Sequence, residues 1–166
     1  MKRGIIITAI LSAAFFSSDA QQVAPVPYNN NVKVNYIRTW DAVKPYTDTA
    51  DVANSSRTLH EVRQTTQYFD GLGRALQTVA KRGSMVTGQP ALDMVVPVVY
   101  DEYGREQYKY LPFAANTTGS NGSLNDGLFK LNPFQQDSAF NKAMFSDESY
   151  YYGKTVFEAS PLNRVL

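Results

Sequence analysis

Two stretches of this chain, YFDGLGRALQTV (68–79) and VYDEYGREQYKY (99–110), are written on one template: aromatic residue, Asp, two residues, Gly, Arg, then an alternating strand. Their arginines, Arg74 and Arg105, lie 31 positions apart. Glycine accepts positive φ without a Cβ clash, and an Asp side chain bonds backbone two residues on, so each stretch reads as a tight β-hairpin. A looser third copy closes the sequence. It runs through Val156-Phe157-Glu158 to Asn163-Arg164-Val165-Leu166, with Glu for Asp, Asn for Gly and a turn two residues longer. Self-similarity at this spacing implies units that bury their faces against one another. The residues that define the template are Tyr68, Asp70, Gly71, Gly73 and Arg74, then Tyr100, Asp101, Gly104 and Arg105, then Glu158, Asn163 and Arg164.

The rest of the pattern fits a mainly β fold built of antiparallel hairpins with one short helix. Lys33–Trp40 alternates and reads as a first strand, followed by a connecting loop over Asp41–Arg57. Glu61–Phe69 leads into the first turn, and Arg74–Ala80 returns from it. Met94–Tyr100 leads into the second turn, with Arg105–Leu111 as its return strand. Pro97 suits a strand start, an edge or a bulge, because it offers no ladder N–H. Asn116–Gly127 reads as a flexible low-complexity loop. Pro133–Phe145 reads as a helix with Pro in its first turn, and Lys154–Ala159 as a last strand.

The first twenty residues stand apart. Lys2 and Arg3 precede the uncharged apolar run Gly4–Phe16, and Ser18-Asp19-Ala20 supplies small residues at a cleavage site. This is the pattern of a secretory signal peptide with Gln21 as the new N-terminus. Residues 21–31, with two prolines and Asn29-Asn30-Asn31, then form a disordered leader, and 32–166 form the domain. Removing the signal leaves 14 basic and 14 acidic residues, so no electrostatic footprint for nucleic acid exists. The chain has no cysteine for a disulfide, lipid anchor or thiolate site, and its one histidine, His60, excludes a His-rich metal centre. No later run is long and apolar enough for a transmembrane helix.

Sharper chemistry finds little support. Asp70 and Asp101 recur at equivalent positions, whereas catalytic carboxylates need differing environments; each is expected to cap its own turn and pair with the arginine four residues on. The oxygen-rich dozen ending in Glu that a helix-loop-helix calcium site needs is missing. Arg74, Arg105 and Arg164 would serve as structural residues covering rings or bonding turn carbonyls. His60 has no Gly-x-Ser-x-Gly elbow beside it. Trp40, Tyr100, Tyr103, Tyr108, Tyr110 and Tyr150–Tyr152 would pack across strands, or, in the rival reading, stack on sugar rings. The Asn-x-Ser/Thr triplets at 54, 116 and 121 report loop composition.

The Asp-x-x-Gly-Arg hairpins resemble YD repeats of Rhs proteins and teneurins. The longer string, from TTQYFDGLGRALQTV through DMVVPVVYDEYGREQYKYLPFA to VFEASPLNRVL, resembles an N-terminal domain of unknown function of long bacterial Rhs-repeat proteins, found just behind the signal peptide. The resemblance covers roughly residues 35–166. It implies a β-rich shell, with the downstream YD-repeat shell as partner and the sequence ending at Leu166 within the third copy as an incomplete piece of that shell. It implies a structural, non-enzymatic module with neither cofactor nor metal, exported to the periplasm, cell surface or medium, in a protein associated with toxins or the surface. The alternative is a carbohydrate-binding module that presents its aromatics to surface glycans.

Overall fold

The computed structural model describes residues 24–84 and 90–166. The expected signal peptide, residues 1–20, lies outside the described residues. The elements in chain order are β1 (Asn35–Ala42), α1 (Thr49–Val52), β2 (Val62–Phe69), β3 (Ala75–Ser84), β4 (Leu92–Pro97), β5 (Tyr108–Tyr110), β6 (Phe113–Ala114), α2 (Pro133–Met144) and β7 (Tyr152–Lys154). A five-stranded sheet runs β1-β2-β3-β4-β6, a two-stranded sheet pairs β5 with β7, and every pairing is antiparallel. Among the described residues the fold is thus mainly antiparallel β with a single helix longer than one turn, as the sequence patterns predict. The first strand starts two residues later than its pattern. The loop after it holds one helical turn, capped by Asp48, which accepts the Ala50 N–H at 2.8 Å.

The hairpin β2–β3 forms around Asp70–Arg74, and β4 lies against β3 with Thr78 opposite Val96. The second unit differs from the expected simple hairpin. Only Val98 and Lys109 bridge its two arms. The inner part of β4 instead takes β6, pairing Val95 with Phe113, and β5 turns away to pair Tyr108 with Lys154. The reason is burial: β6 and the residue after it place Phe113 and Ala115 in the apolar cluster on the closed face of the sheet, and Ala114 between them is buried as well. Burying one such aromatic side chain contributes about 1.5–3 kcal/mol, and the ladder bonds forgone between β4 and β5 are made instead to β6 and β7. Pro97 is the last residue of β4, where its missing N–H costs nothing in the ladder.

One face of the sheet is closed. Alternation puts Thr66 and Tyr68 of β2, Gln77 and Val79 of β3, and Asp93, Val95 and Pro97 of β4 on it, all buried. Tyr68, Val79, Val95, Phe113 and Ala115 form its apolar centre, with Phe129 and Phe140 packed against them. The covering chain is fixed by polar side chains rising from the strands. Gln77 makes both backbone bonds to Lys130, donating to its carbonyl at 2.9 Å and accepting its N–H at 3.0 Å. The Tyr68 hydroxyl donates to Gly127 O at 2.9 Å. Lys130 Nζ lies 2.7 Å from Asp93 Oδ2 with both side chains fully buried, and also bonds Ser123 Oγ at 2.6 Å and Asp126 Oδ1 at 3.2 Å. Asp93 accepts the Arg82 and Gly127 N–H groups as well.

The Asn116–Gly127 stretch, expected as a flexible loop, is knitted by its own amides. Asn121 Nδ2 donates to Asn116 O and Ser123 O, and Asn116 Nδ2 donates to Gln136 O of α2. Asn, Ser and Asp bond nearby backbone readily, so a composition typical of loose loops here produces a dense one. Residues 24–31, the described part of the leader, contain no helix or strand. They contact the covering chain through Tyr28 N–H to Leu131 O and Gln135 Nε2 to Pro25 O, each 2.7 Å, and through the Tyr28 and Phe129 rings.

Helix α2 has no clean apolar stripe because its buried side includes Asp137 and Asn141 beside Phe134. Burial pushes the Asp137 carboxyl up from 3.8 to about 7, against the opposing bond donated by Asn141 Nδ2 at 2.9 Å. A carboxyl raised in the fold contributes stability fully below its unfolded value, and that contribution is lost as pH rises through about 7. Asp137→Asn removes this loss. Urea midpoints of the two proteins should draw apart as pH rises from about 4 to about 7, the variant becoming the more stable, and run parallel above 7; curves that stay parallel across that window would contradict the assignment.

Candidate functional site: a ladder of acid–arginine turns

The first two template turns have the same geometry bond for bond. In the first, Asp70 Oδ1 accepts the N–H groups of Leu72 and Arg74, both at 2.9 Å, and Oδ2 accepts Arg74 Nε at 2.8 Å. In the second, Asp101 Oδ1 accepts those of Tyr103 and Arg105, both at 2.9 Å, and Oδ2 accepts Arg105 Nε at 2.8 Å. The acid's own N–H donates to the arginine carbonyl at 2.9 Å in each, and the glycine N–H donates back to the acid's carbonyl. Gly73 and Gly104 hold φ of 79° and 75°. The third turn reaches the same end with different residues. Asn163 takes φ of 56° before Arg164, the Glu158 N–H donates to Arg164 O at 3.0 Å, and both Glu158 oxygens accept Arg164 Nε at 2.9 Å. Glu has one more methylene than Asp, and Ser160 fills the longer loop by donating to Glu158 Oε1 at 2.7 Å.

Left-handed backbone costs an ordinary residue about 1–2 kcal/mol, and Asn less. A Cβ at Gly104 would sit 3.5 Å from Arg74 Nη1, an ordinary contact, so only backbone strain opposes a side chain there. Gly104→Ala should therefore cost about 1 kcal/mol while Asn163→Gly costs close to nothing. The shift of each variant's urea midpoint measures this; equal costs would mean that the third turn is not equivalent to the second.

The turns are also joined to one another. The Arg74 guanidinium lies over the Tyr100 ring at 4.9 Å, and Tyr100 is the residue just before Asp101. The Arg105 guanidinium lies over Phe157 at 4.8 Å, and Phe157 is the residue just before Glu158. Arg105 also covers Tyr103 at 4.7 Å and donates through Nη1 to Glu158 O (3.0 Å) and Ser160 O (2.8 Å). Each arginine thus ties its own turn through the acid and the next turn through its ring. The strands keep the same order: β3 returns from the first turn and pairs with β4, and β5 returns from the second and pairs with β7.

The electrostatics suit fixed ion pairs. Asp70 is held below the usual carboxylate range, first by the Arg74 N–H and then by the Arg74 guanidinium. Burial works against ionising Asp101, and the bonds from Arg105 overcome it. Glu158 is lowered chiefly by Arg164. Every acid of the ladder already accepts several donors, so none is left as a free base or nucleophile activator. Among the described residues no group of three or more His, Cys, Asp or Glu side chains is placed to hold a metal ion. No helix among them is long and apolar enough to cross a membrane.

Of the template residues, Asp70, Gly73, Arg74, Tyr100, Asp101, Gly104, Arg105, Glu158, Asn163 and Arg164 meet in the ladder. Gly71 is exposed at the turn tip with open space around its Cα. Tyr68 is elsewhere: it is buried beneath the sheet with its ring against Phe129, and Phe69 occupies the position that matches Tyr100. Phe157, Tyr103 and Ser160 belong to the ladder although the template does not single them out; the signal for Phe157 is its place directly before the acid. The aromatics considered for sugar stacking fall in separate groups, the largest being Tyr108, Tyr110 and Tyr150 around Tyr152. Trp40 lies on β1 beside Arg57 and Gln64, Tyr103 under Arg105, and Tyr108 and Tyr110 against Tyr152 in the smaller sheet.

A family model described as Domain of unknown function (DUF6443) matches residues 38–166, and the chain belongs to that family. The match contains all three turns and begins within β1. No curated protein matches the chain, and no solved structure does.

Proposed function

We propose that this member of the DUF6443 family is a non-enzymatic structural module, exported by its N-terminal signal, that heads the shell of an Rhs/YD-repeat protein associated with toxins or the surface. The observation that carries this reading is the ladder itself. Repeated acid–arginine turns, with Arg74 and Arg105 each reaching the ring of the next turn, are what a chain needs to build a wall by adding hairpins one after another. The saturated carboxylates favour scaffold over catalysis, and the alternating strands with the LPFA and SPLNR strings agree with the Rhs resemblance. Surface-glycan binding remains the second reading, carried by the exposed Trp40 and Tyr103; their dispersal over separate parts of the fold favours the scaffold. The partner is a downstream array of the same hairpins.

The experiment is to sequence the gene beyond the Leu166 codon. Further copies of aromatic-Asp-x-x-Gly-Arg, at spacings like the 31 residues between Arg74 and Arg105, are expected. Coding sequence without that template in any frame would overturn the shell reading.

A further inference from the structure

The three ladder arginines differ in their surroundings. Arg105 is enclosed, with a side chain 9% exposed between its acid, two rings and two carbonyls. Arg74 is 40% exposed and covers Tyr100. Arg164 makes the same inward pair with Glu158 but remains 70% exposed. Around it Val156, Leu162, Val165 and Leu166 are exposed apolar side chains. Its strand pairs inward, Val165 with Phe157 and Leu166 N–H to Val156 O, and among the described residues no strand lies on its other side. In both earlier units that other side of the returning strand carries the outgoing strand of the next unit.

Resting on the shell reading, we propose that the Arg164 turn is a docking face for one specific occupant, the first hairpin of the downstream array. That hairpin brings an aromatic residue directly before an Asp or Glu, and its ring lies beneath the Arg164 guanidinium as Tyr100 lies beneath Arg74. Its outgoing strand pairs with the free side of Val165 and Leu166. A guanidinium over a ring is attractive because the ring face is electron-rich, and the attraction grows as water is excluded. The apolar side chains around Arg164 supply that exclusion once covered.

The test uses the full chain with a second copy of residues 77–111 fused in frame behind Leu166. This fusion places the copy of Tyr100 as far behind Arg164 as Tyr100 lies behind Arg74. The readout is the Nε–Hε resonance of each arginine, which a ring current displaces when the guanidinium lies over a ring. In the unextended chain Arg74 and Arg105 should be displaced and Arg164 should not. In the extended chain Arg164 should be displaced as well, and should return when the appended copy alone carries Tyr100→Leu. If Arg164 stays put in the extended chain while Arg74 and Arg105 are displaced, the docking inference is wrong and the shell reading stands. If Arg74 and Arg105 are themselves undisplaced, the ladder and the shell reading fall together. Displacement of Arg164 in the unextended chain as protein concentration rises would make a second copy of this chain the occupant and overturn the docking of a downstream hairpin.

Discussion

Arg105→Ala should lower the free energy of unfolding by about 3 kcal/mol, while the equivalent Arg74→Ala costs about 1 kcal/mol. The two arginines make the same bonds to their own acids, so the difference reflects the burial of Arg105 and its contacts with the next turn of the ladder. Arg105 is almost fully enclosed and donates to Glu158 O and Ser160 O. Truncating it leaves the Asp101 carboxylate without its charged partner, orphans two carbonyls and uncovers Phe157 and Tyr103. Arg74 is far more exposed, and water can take over most of its bonds. Arg105→Lys should recover less than half of the loss, because a single ammonium cannot keep the Asp101 contact made by Nε while also serving the two carbonyls reached by Nη1. Urea unfolding of the three variants is the measurement; equal costs for Arg74→Ala and Arg105→Ala would mean that the additional contacts of Arg105 with the third turn contribute nothing.

Lys130→Met should be more damaging still, by about 4 kcal/mol, because it strands a fully buried Asp93 carboxylate. Buried ion pairs can often be replaced by two apolar residues at little cost, since both desolvation penalties then vanish. This pair should not obey that rule. Asp93 also accepts the N–H groups of Arg82 and Gly127, both at short distances, and an apolar side chain in its place leaves those donors unserved. Asp93→Leu combined with Lys130→Met therefore restores only part of the loss and stays about 2 kcal/mol below the parent chain. A double variant as stable as the parent would mean that the backbone donors find other partners, and that Asp93 has no role in holding the 123–130 segment on the sheet.

The turns are legible in the sequence because their chemistry is local. Asp, Gly and Arg sit within five residues, and each bond in the turn runs between residues of that short span. The β2–β3 hairpin, the α2 helix and the antiparallel β class rest on equally local signals. The return of the second unit is not legible. Whether β4 pairs with β5 or β6 depends on where Phe113 can be buried, and the pairing of β5 with β7 joins residues more than forty apart. The covering network is hidden for a different reason. Gln77, Asp93 and Lys130 look like surface residues in any apolar–polar pattern, yet all three are buried and serve one another's backbone or charge. Tyr68 misleads in a smaller way: two aromatics precede Asp70, strand alternation sends them to opposite faces, and Tyr68 is the one that belongs to the core.

A ladder requires that the arginine of each turn be energetically coupled to the ring of the next. A double-mutant cycle between Arg105→Ala and Phe157→Leu measures that coupling directly through urea unfolding. The two losses should fall short of additivity by about 1 kcal/mol, the size of a partly desolvated guanidinium–ring contact. Losses that simply add would contradict the coupling, and the three turns would then be neighbours without being a ladder.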